Sequence, residues 1–224
     1  MPADSELVGY YTARVDEYEK VYEKPERQND LRQLHDIVQR AFARRRVLDV
    51  ACGTGYWTRT LAIDAASVTG CDLSESVLNV AQRSQPANAP ATFVLGDAFT
   101  LEAIPGEFDA AFVGFWWSHV KRADVARFLD GLHRRLLASS RVMIVDNRYV
   151  AGSNWPITRT DDDGNTYQRR RLDSGAEHGV LKNFPSMAEV CTAITRAGGV
   201  GVRVDTMDYY WHVTYESAGE VSRA

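Results

Sequence analysis

From Arg46 to Asp146 short β-rich runs alternate with helical ones, and this alternation limits the possible folds more than any other feature of the chain. Val47–Ala51 reads as a strand and Tyr56–Ile63 as a helix. Ser67–Asp72 follows as a strand, then Glu75–Arg83 as a helix with Ser74 as its cap. Beyond the breaker Pro86-Ala87-Asn88-Ala89-Pro90 the expected strands are Ala91–Leu95 and the very apolar Phe108–Phe115. A long helix over 121–137 and a fifth strand, Arg141–Asp146, complete the run. Strands alternating with helices of this length specify a parallel sheet covered on both faces, and right-handed crossovers wind it doubly. Residues 200–204 and 209–215 read as two further strands whose short connection forces an antiparallel pair. The expected fold is therefore α/β, a doubly wound and mostly parallel sheet of seven strands with helices on both faces.

The flanks behave differently. Residues 5–24 read as one helix, with Tyr11, Val15, Tyr18 and Tyr22 on one face, stopped by Pro25. A second helix over 27–43 carries Leu31, Leu34, Val38 and Phe42 inward. Residues 148–183 are polar and turn-rich, with a hairpin tip at Asp162-Asp163-Gly164-Asn165 between Ile157–Thr160 and Thr166–Leu172. They read as an insertion capping a ligand cleft. A helix over 186–197 then ends at Gly198-Gly199.

Composition excludes several classes. In 224 residues, 45% hydrophobic content fills a sizeable core, and 30 acidic against 26 basic residues give a formal charge of −4. That balance removes the simplest argument for a phosphate-backbone binder. No apolar run approaches the ~18 residues of a membrane span, and the N-terminus lacks signal-peptide regions. Cys52, Cys71 and Cys191 are odd in number and have no metal-ligand spacing. The expectation is a cytoplasmic protein with reduced thiols, monomer or homodimer, with no nucleic-acid or membrane partner.

Open α/β sheets bind ligands at the carboxyl ends of their strands. Strand one runs into Ala51-Cys52-Gly53-Thr54-Gly55, whose glycines allow a tight turn and a close approach of ligand to backbone. Asp49, near the end of that buried strand, needs partners to offset its desolvation. Strand two ends at Asp72, a residue type that accepts both hydroxyls of a ribose. Strand three is followed by Gly96-Asp97-Ala98. Three carboxylates at three consecutive strand ends describe a site for a nucleoside that bears positive charge and no phosphates.

These residues resemble the class I S-adenosylmethionine-dependent methyltransferases, in their small-molecule branch. Val47 to Gly55 looks like that family's first motif, and Asp72, Gly96-Asp97-Ala98 and Phe108-Asp109 fall where its later motifs fall. The resemblance covers residues 46–146 and implies S-adenosylmethionine as cofactor, with S-adenosylhomocysteine as product. It implies that Asp49, Ala51, Gly53 and Gly55 wrap the methionine end, that Asp72 holds the ribose, and that Leu73 lies on the adenine. Asp97 would accept from the adenine amino group and the Ala98 N–H would donate to the ring. It further implies a Rossmann-like sheet ending in an antiparallel strand, and an N-terminal helix folding Tyr11, Arg14 and Tyr18 over the cofactor. The chain is then one methyltransferase domain: residues 1–45 an N-terminal cover, 46–147 the cofactor-binding core, 148–183 a substrate cap, and 184–224 a C-terminal helix and strand pair.

Strand four ends beside the reactive methyl group and reads Gly114-Phe115-Trp116-Trp117-Ser118-His119. The Asn/Asp-Pro-Pro-Tyr signature of amino-methylating nucleic-acid enzymes is absent, as is a paired-glutamate signature of protein arginine methyltransferases. Phe115 here favours a sulfonium by cation–π attraction, while Trp116 and Trp117 suit a desolvated wall for a small acceptor. His119 is the candidate general base, since an imidazole titrates near working pH. Asp146-Asn147 resembles a magnesium-binding pair of catechol-type enzymes, but the matching acidic ligand after strand four is missing, so no metal is expected. Arg169-Arg170-Arg171, with Arg159 and Arg148, form either a solvated edge or a site for an acceptor's carboxylate or phosphate.

The reading is a metal-independent methyltransferase acting on a small molecule, at oxygen. The alternatives are an RNA or protein methyltransferase and an NAD-dependent oxidoreductase. Against the last, the loop runs Gly53-x-Gly55-x-x-Thr58 and no Tyr-x-x-x-Lys pair is present.

Overall fold

The structure is a computed structural model that describes residues 9–11 and 13–217. Ten strands are present: β1 (Arg46–Val50), β2 (Ser67–Asp72), β3 (Ala91–Leu95), β4 (Ala110–Gly114), β5 (Arg141–Asn147), β6 (Ile157–Thr160), β7 (Thr166–Arg171), β8 (Glu177–Leu181), β9 (Gly199–Thr206) and β10 (Tyr210–Ser217). Seven make one sheet in the order β3-β2-β1-β4-β5-β10-β9. β1 runs parallel to both β2 and β4, and β10 runs antiparallel to β5 and β9. The order reverses between β1 and β4, which puts the switch point, and hence the cleft, at their carboxyl ends.

Period-two alternation along the central strands divides the core into two layers. Leu48, Ala111, Val113, Val142 and Ile144 face one side, with Phe128 and Leu132 of α4 (Val125–Arg135) and Val190 and Ile194 of α5 (Met187–Arg196). Val47, Ala110, Phe112, Met143 and Val145 face the other, against Leu31, Leu34 and Val38 of α1 (Gln28–Ala41) and Trp57 and Leu61 of α2 (Tyr56–Leu61). α3 (Glu75–Ser84) follows β2. Both faces of the parallel strands are therefore apolar and covered, as a parallel sheet requires. α5 starts where Ser186 and Glu189 form a reciprocal cap, the Ser186 N–H donating to Glu189 Oε2 at 2.7 Å. No helix among the described residues is long and apolar enough to cross a membrane.

The expected continuous first helix is not found. Its residues 5–8 and 12 lie outside the described ones, and Val15–Tyr22 is a 3₁₀ helix. The side chains of this stretch are drawn to the core: Tyr22 stacks on Tyr56 with ring centroids 3.8 Å apart, and Glu19 takes bonds from Thr54 and Arg59. These long-range contacts override the local periodicity.

The 148–183 insertion is a separate antiparallel sheet, β6-β7-β8. β6 and β7 are the expected hairpin, its tip closed by the Asn165 N–H donating to Asp161 Oδ1 at 2.8 Å. β8 was not anticipated, because Glu177-His178-Gly179 lacks the β-branched residues that mark strands. The insertion is tied to the loop after β4 by Asn183 N–H to Ser118 O and by Arg122 N–H to Asn165 Oδ1, both 2.8 Å.

Candidate active site

The carboxyl ends of β1 to β5 open into a cleft of about 340 Å³, closed above by the N-terminal segment and the insertion. Its floor is the turn after β1. Ala51, Gly53 and Gly55 all have positive φ, at 54°, 57° and 77°. Glycine adopts this region freely, whereas Ala51 is held there against its own preference. The Gly53 N–H donates to Asp72 Oδ2 at 3.1 Å, and the Ser74 N–H donates to Asp72 Oδ1 at 3.0 Å. Asp72 is thus fixed by one bond to each oxygen while facing the cleft. Burial raises its pKa, and the backbone N–H groups of Ser74, Gly53 and Leu73 oppose that rise.

Asp49 is 1% exposed and accepts from the Thr58 hydroxyl at 2.6 Å. Burial pushes its carboxyl up to about 7, with the Thr58 bond opposing. A side chain one turn into α2, not backbone N–H groups, satisfies it. Asp97 accepts from the Phe99 N–H at 2.9 Å and lines the cleft with Leu73 and Ala98. The three strand-end carboxylates therefore line the same cleft. Ala51 lies on the floor. Gly53 supports Tyr18: a methyl group there would collide with the Tyr18 ring and hydroxyl.

Phe115 and Trp116 line the cleft, and Phe115 has φ 60°. The Phe115 ring stacks on Trp57 at 6.0 Å. Trp116 Nε1 is buried with no partner. Two expected substrate residues are corrected. Trp117 belongs to the core, T-shaped on Trp211 at 6.3 Å, because the 3₁₀ turn Trp117–His119 rotates it away from Trp116. Arg148 is exposed and lies outside the cleft, since its backbone N–H and its guanidinium are taken by the Tyr209 and Met207 carbonyls of the β9–β10 connection beside the end of β5.

His119 lies in the wall but differs from a free base. Its Nδ1 is 2.7 Å from the Leu181 carbonyl, an acceptor only, so Nδ1 carries the proton and Nε2 accepts from the Tyr11 hydroxyl at 2.8 Å. Burial and the nearby Lys182 and Arg170 charges hold its pKa well below the usual imidazole range. The ring is neutral and its lone pair is engaged. Tyr11 also packs against Tyr18, centroids 5.4 Å apart.

Sequence reasoning offered Arg170 only as one of a cluster of arginines, and it missed Arg27 and Lys182. In β7 Gln168 and Arg170 face inward while Arg169 and Arg171 face solvent. The alternation of a strand held this signal, since Arg170 stands alone between two outward arginines. Arg170 donates through Nε and Nη2 to Gln168 Oε1 at 3.2 and 2.9 Å. Arg27, just before α1, donates to Ser153 Oγ, Ser153 O and Asn147 Oδ1 at 2.9, 3.1 and 3.0 Å. Lys182 pairs with Asp146 at 3.1 Å, and burial pushes its ammonium down to about 8. Asp146 also accepts from the Ser118 N–H and hydroxyl at 2.8 and 2.9 Å. The Asp146-Asn147 pair that resembled a metal site is thus engaged by Lys182, Ser118 and Arg27.

Comparison with known proteins agrees with this geometry. A family model described as a methyltransferase domain matches residues 47–138. The putative methyltransferase YqeM of Bacillus subtilis is 40% identical over 68 residues, 30% of this chain and 28% of that protein. The demethylmenaquinone methyltransferase of Clavibacter sepedonicus is 34% identical over 104 residues, 46% of this chain and 42% of that protein. The chain thus spans less than half the length of these curated relatives. A solved structure, a complex of DhpI with SAH, superposes with a TM-score of 0.76 at 25% identity, covering 95% of this chain and 96% of that one. A sheet with one antiparallel strand, an acid-lined cleft at its switch point and the matched domain are features of the class I methyltransferase fold. The chain is similar to the S-adenosylmethionine-dependent members of that class in its overall fold and over residues 47–138.

Proposed function

We propose that this chain binds S-adenosylmethionine at the acidic wall and transfers its methyl group to an oxygen of a small molecule held under the insertion, without a metal. The observation that carries the reading is the convergence of Asp49, Asp72 and Asp97 on one cleft whose opposite wall is built by segments outside the sheet. The donor set fits the cofactor: carboxylates for a ribose and a cationic chain, with the Tyr18 and Phe115 rings for a sulfonium. Bound there, the cofactor supplies an activated methyl group, and in-line displacement asks the protein mainly for positioning and exclusion of water. Phe115 and Trp116 provide the dry wall. Tyr11, aimed by neutral His119, presents its hydroxyl oxygen to the acceptor side, so His119 is a positioning residue. The whole chain then works as one domain, with residues 46–147 gripping the cofactor, 148–183 capping the acceptor and 1–45 covering both.

Calorimetric titration with S-adenosylhomocysteine tests this, with NAD(H) as control and Asp72→Ala alongside. The expected result is micromolar affinity, weakened at least about tenfold in Asp72→Ala through loss of the ribose hydrogen bonds, and no NAD(H) binding. Absence of S-adenosylhomocysteine binding overturns the proposal, and NAD(H) binding in its place moves the reading to an oxidoreductase.

A further inference from the structure

Charge in the cleft is segregated. Asp49, Asp72 and Asp97 stand at the ends of β1, β2 and the strand beside it, whereas the opposite end is ringed by Arg27, Arg170 and Lys182. The three cations form one group: the Arg170 and Arg27 charges both act on Lys182, and Asn147, which accepts from Arg27, also donates to Asp146, the partner of Lys182. Lys182 alone in this group has a carboxylate. No carboxylate among the described residues lies within ion-pair distance of Arg170 or Arg27, although Arg170 is 9% exposed and Arg27 only 2%.

Buried guanidinium groups are costly unless a counter-charge compensates them. Here each is held directly by neutral acceptors, Gln168 Oε1 for Arg170 and Ser153 and Asn147 for Arg27, and the Glu26 carboxylate reaches Arg27 only through the Ser153 hydroxyl, so the orientation is fixed without a direct ion pair. Aromatic surfaces steady them further, with Arg170 5.7 Å from the Tyr10 ring centroid and Arg27 5.7 Å from that of Tyr210. A net-acidic chain that buries two arginines without a direct ion pair in the wall of its main cleft is arranged to receive an anion. A neutral acceptor such as a simple phenol would leave both charges stranded.

Resting on the methyltransferase reading, we infer that the acceptor carries an oxyanion, a carboxylate or a phosphoryl group, which Arg170 and Arg27 engage at the end of the cleft opposite Asp72. The Arg170 fork is anchored on Gln168 through Nε and Nη2, and the Tyr10 and Tyr11 hydroxyls lie beside it, so a ligand oxyanion meets the guanidinium together with the Tyr11 hydroxyl at the cleft face. Arg169, on the outer face of the same strand, takes no part.

The test uses the whole chain saturated with S-adenosylhomocysteine and titrated calorimetrically with sodium phosphate, sodium acetate and, as a cationic control, choline chloride. The expected result is saturable binding of phosphate or acetate with Kd on the order of 1 mM and none of choline. The tighter anion identifies the group as phosphoryl or carboxyl. Arg170→Gln and Arg27→Gln each weaken the anion about tenfold while the affinity for S-adenosylhomocysteine stays within about twofold, which also shows that the variants fold. Arg169→Gln, removing the same charge from the opposite face, leaves anion binding unchanged. Lack of saturable anion binding, or equal weakening by Arg169→Gln and Arg170→Gln, overturns the inference. Failure of S-adenosylhomocysteine to bind the wild-type protein is a different result: it sinks the methyltransferase reading itself.

Discussion

The Tyr11 hydroxyl donates to His119 Nε2 across 2.8 Å, joining the segment that covers the cleft to the loop that follows β4. Since Leu181 O fixes the other ring nitrogen, the pair has one arrangement of protons, and protonation of His119 would break it.

A pH dependence of stability follows. His119 has a folded pKa below its unfolded value, so its contribution is fully present above the unfolded pKa, ~6.5, and is lost as pH falls below that. His35, His133 and His212 are depressed in the same direction by burial. Between pH 7.5 and 5.5 the histidine loss is opposed by a gain from Asp49, so urea unfolding should isolate His119 by difference: His119→Gln should change the pH 5.5-minus-7.5 stability difference by about 1 kcal/mol in favour of pH 5.5. A slope identical in the two proteins would show that His119 is not held neutral.

Asp49 gives the opposite sign. Its folded pKa, about 7, lies above the unfolded value, so stability is present at low pH and lost as pH rises towards 7. Asp49→Asn removes that burden and should stabilise the ligand-free protein by about 2–4 kcal/mol at pH 8, while weakening S-adenosylhomocysteine about tenfold. Thermal melts and calorimetry at pH 8 read the two effects separately, and a destabilised Asp49→Asn protein would contradict the buried, uncompensated carboxylate.

Gly53 carries both a positive φ and the Tyr18 ring. Gly53→Ala should cost about 1–2 kcal/mol from backbone strain and more from the displaced tyrosine. Combining it with Tyr18→Ala removes the second part only, so a double-mutant cycle should show positive coupling. Strict additivity would mean that the ring does not rest on the glycine.

Lys182→Met leaves Asp146 charged, fully buried and without its cation. The expected loss is about 3–5 kcal/mol, largely recovered in Lys182→Met/Asp146→Asn, because removing a buried pair costs less than breaking one. If the double variant were no more stable than the single one, the pair would be contributing net attraction beyond its desolvation.

The acidic side of the cleft was legible in the sequence because its residues are local to strand ends: alternation places the strands, and Asp49, Asp72 and Asp97 then line the cleft at their carboxyl ends. The acceptor half was not. Arg27 looked like part of a helix, yet Ser153 and Asn147, each more than a hundred residues away, turn it inward. Arg170 could be separated from Arg169 and Arg171 only by the register of β7, and that depends on β8, a strand without strand-like composition. The Trp116/Trp117 pair divides because one 3₁₀ turn sends neighbouring indoles to opposite sides, which no periodicity of three or two announces.

The insertion rests on the sheet through side-chain and loop bonds, sharing no strand ladder with it. The two walls of the cleft are consequently free to change at different rates. Substitutions at β7 and β8 can reshape the outer wall of the cleft without shifting the register of β1 or β2.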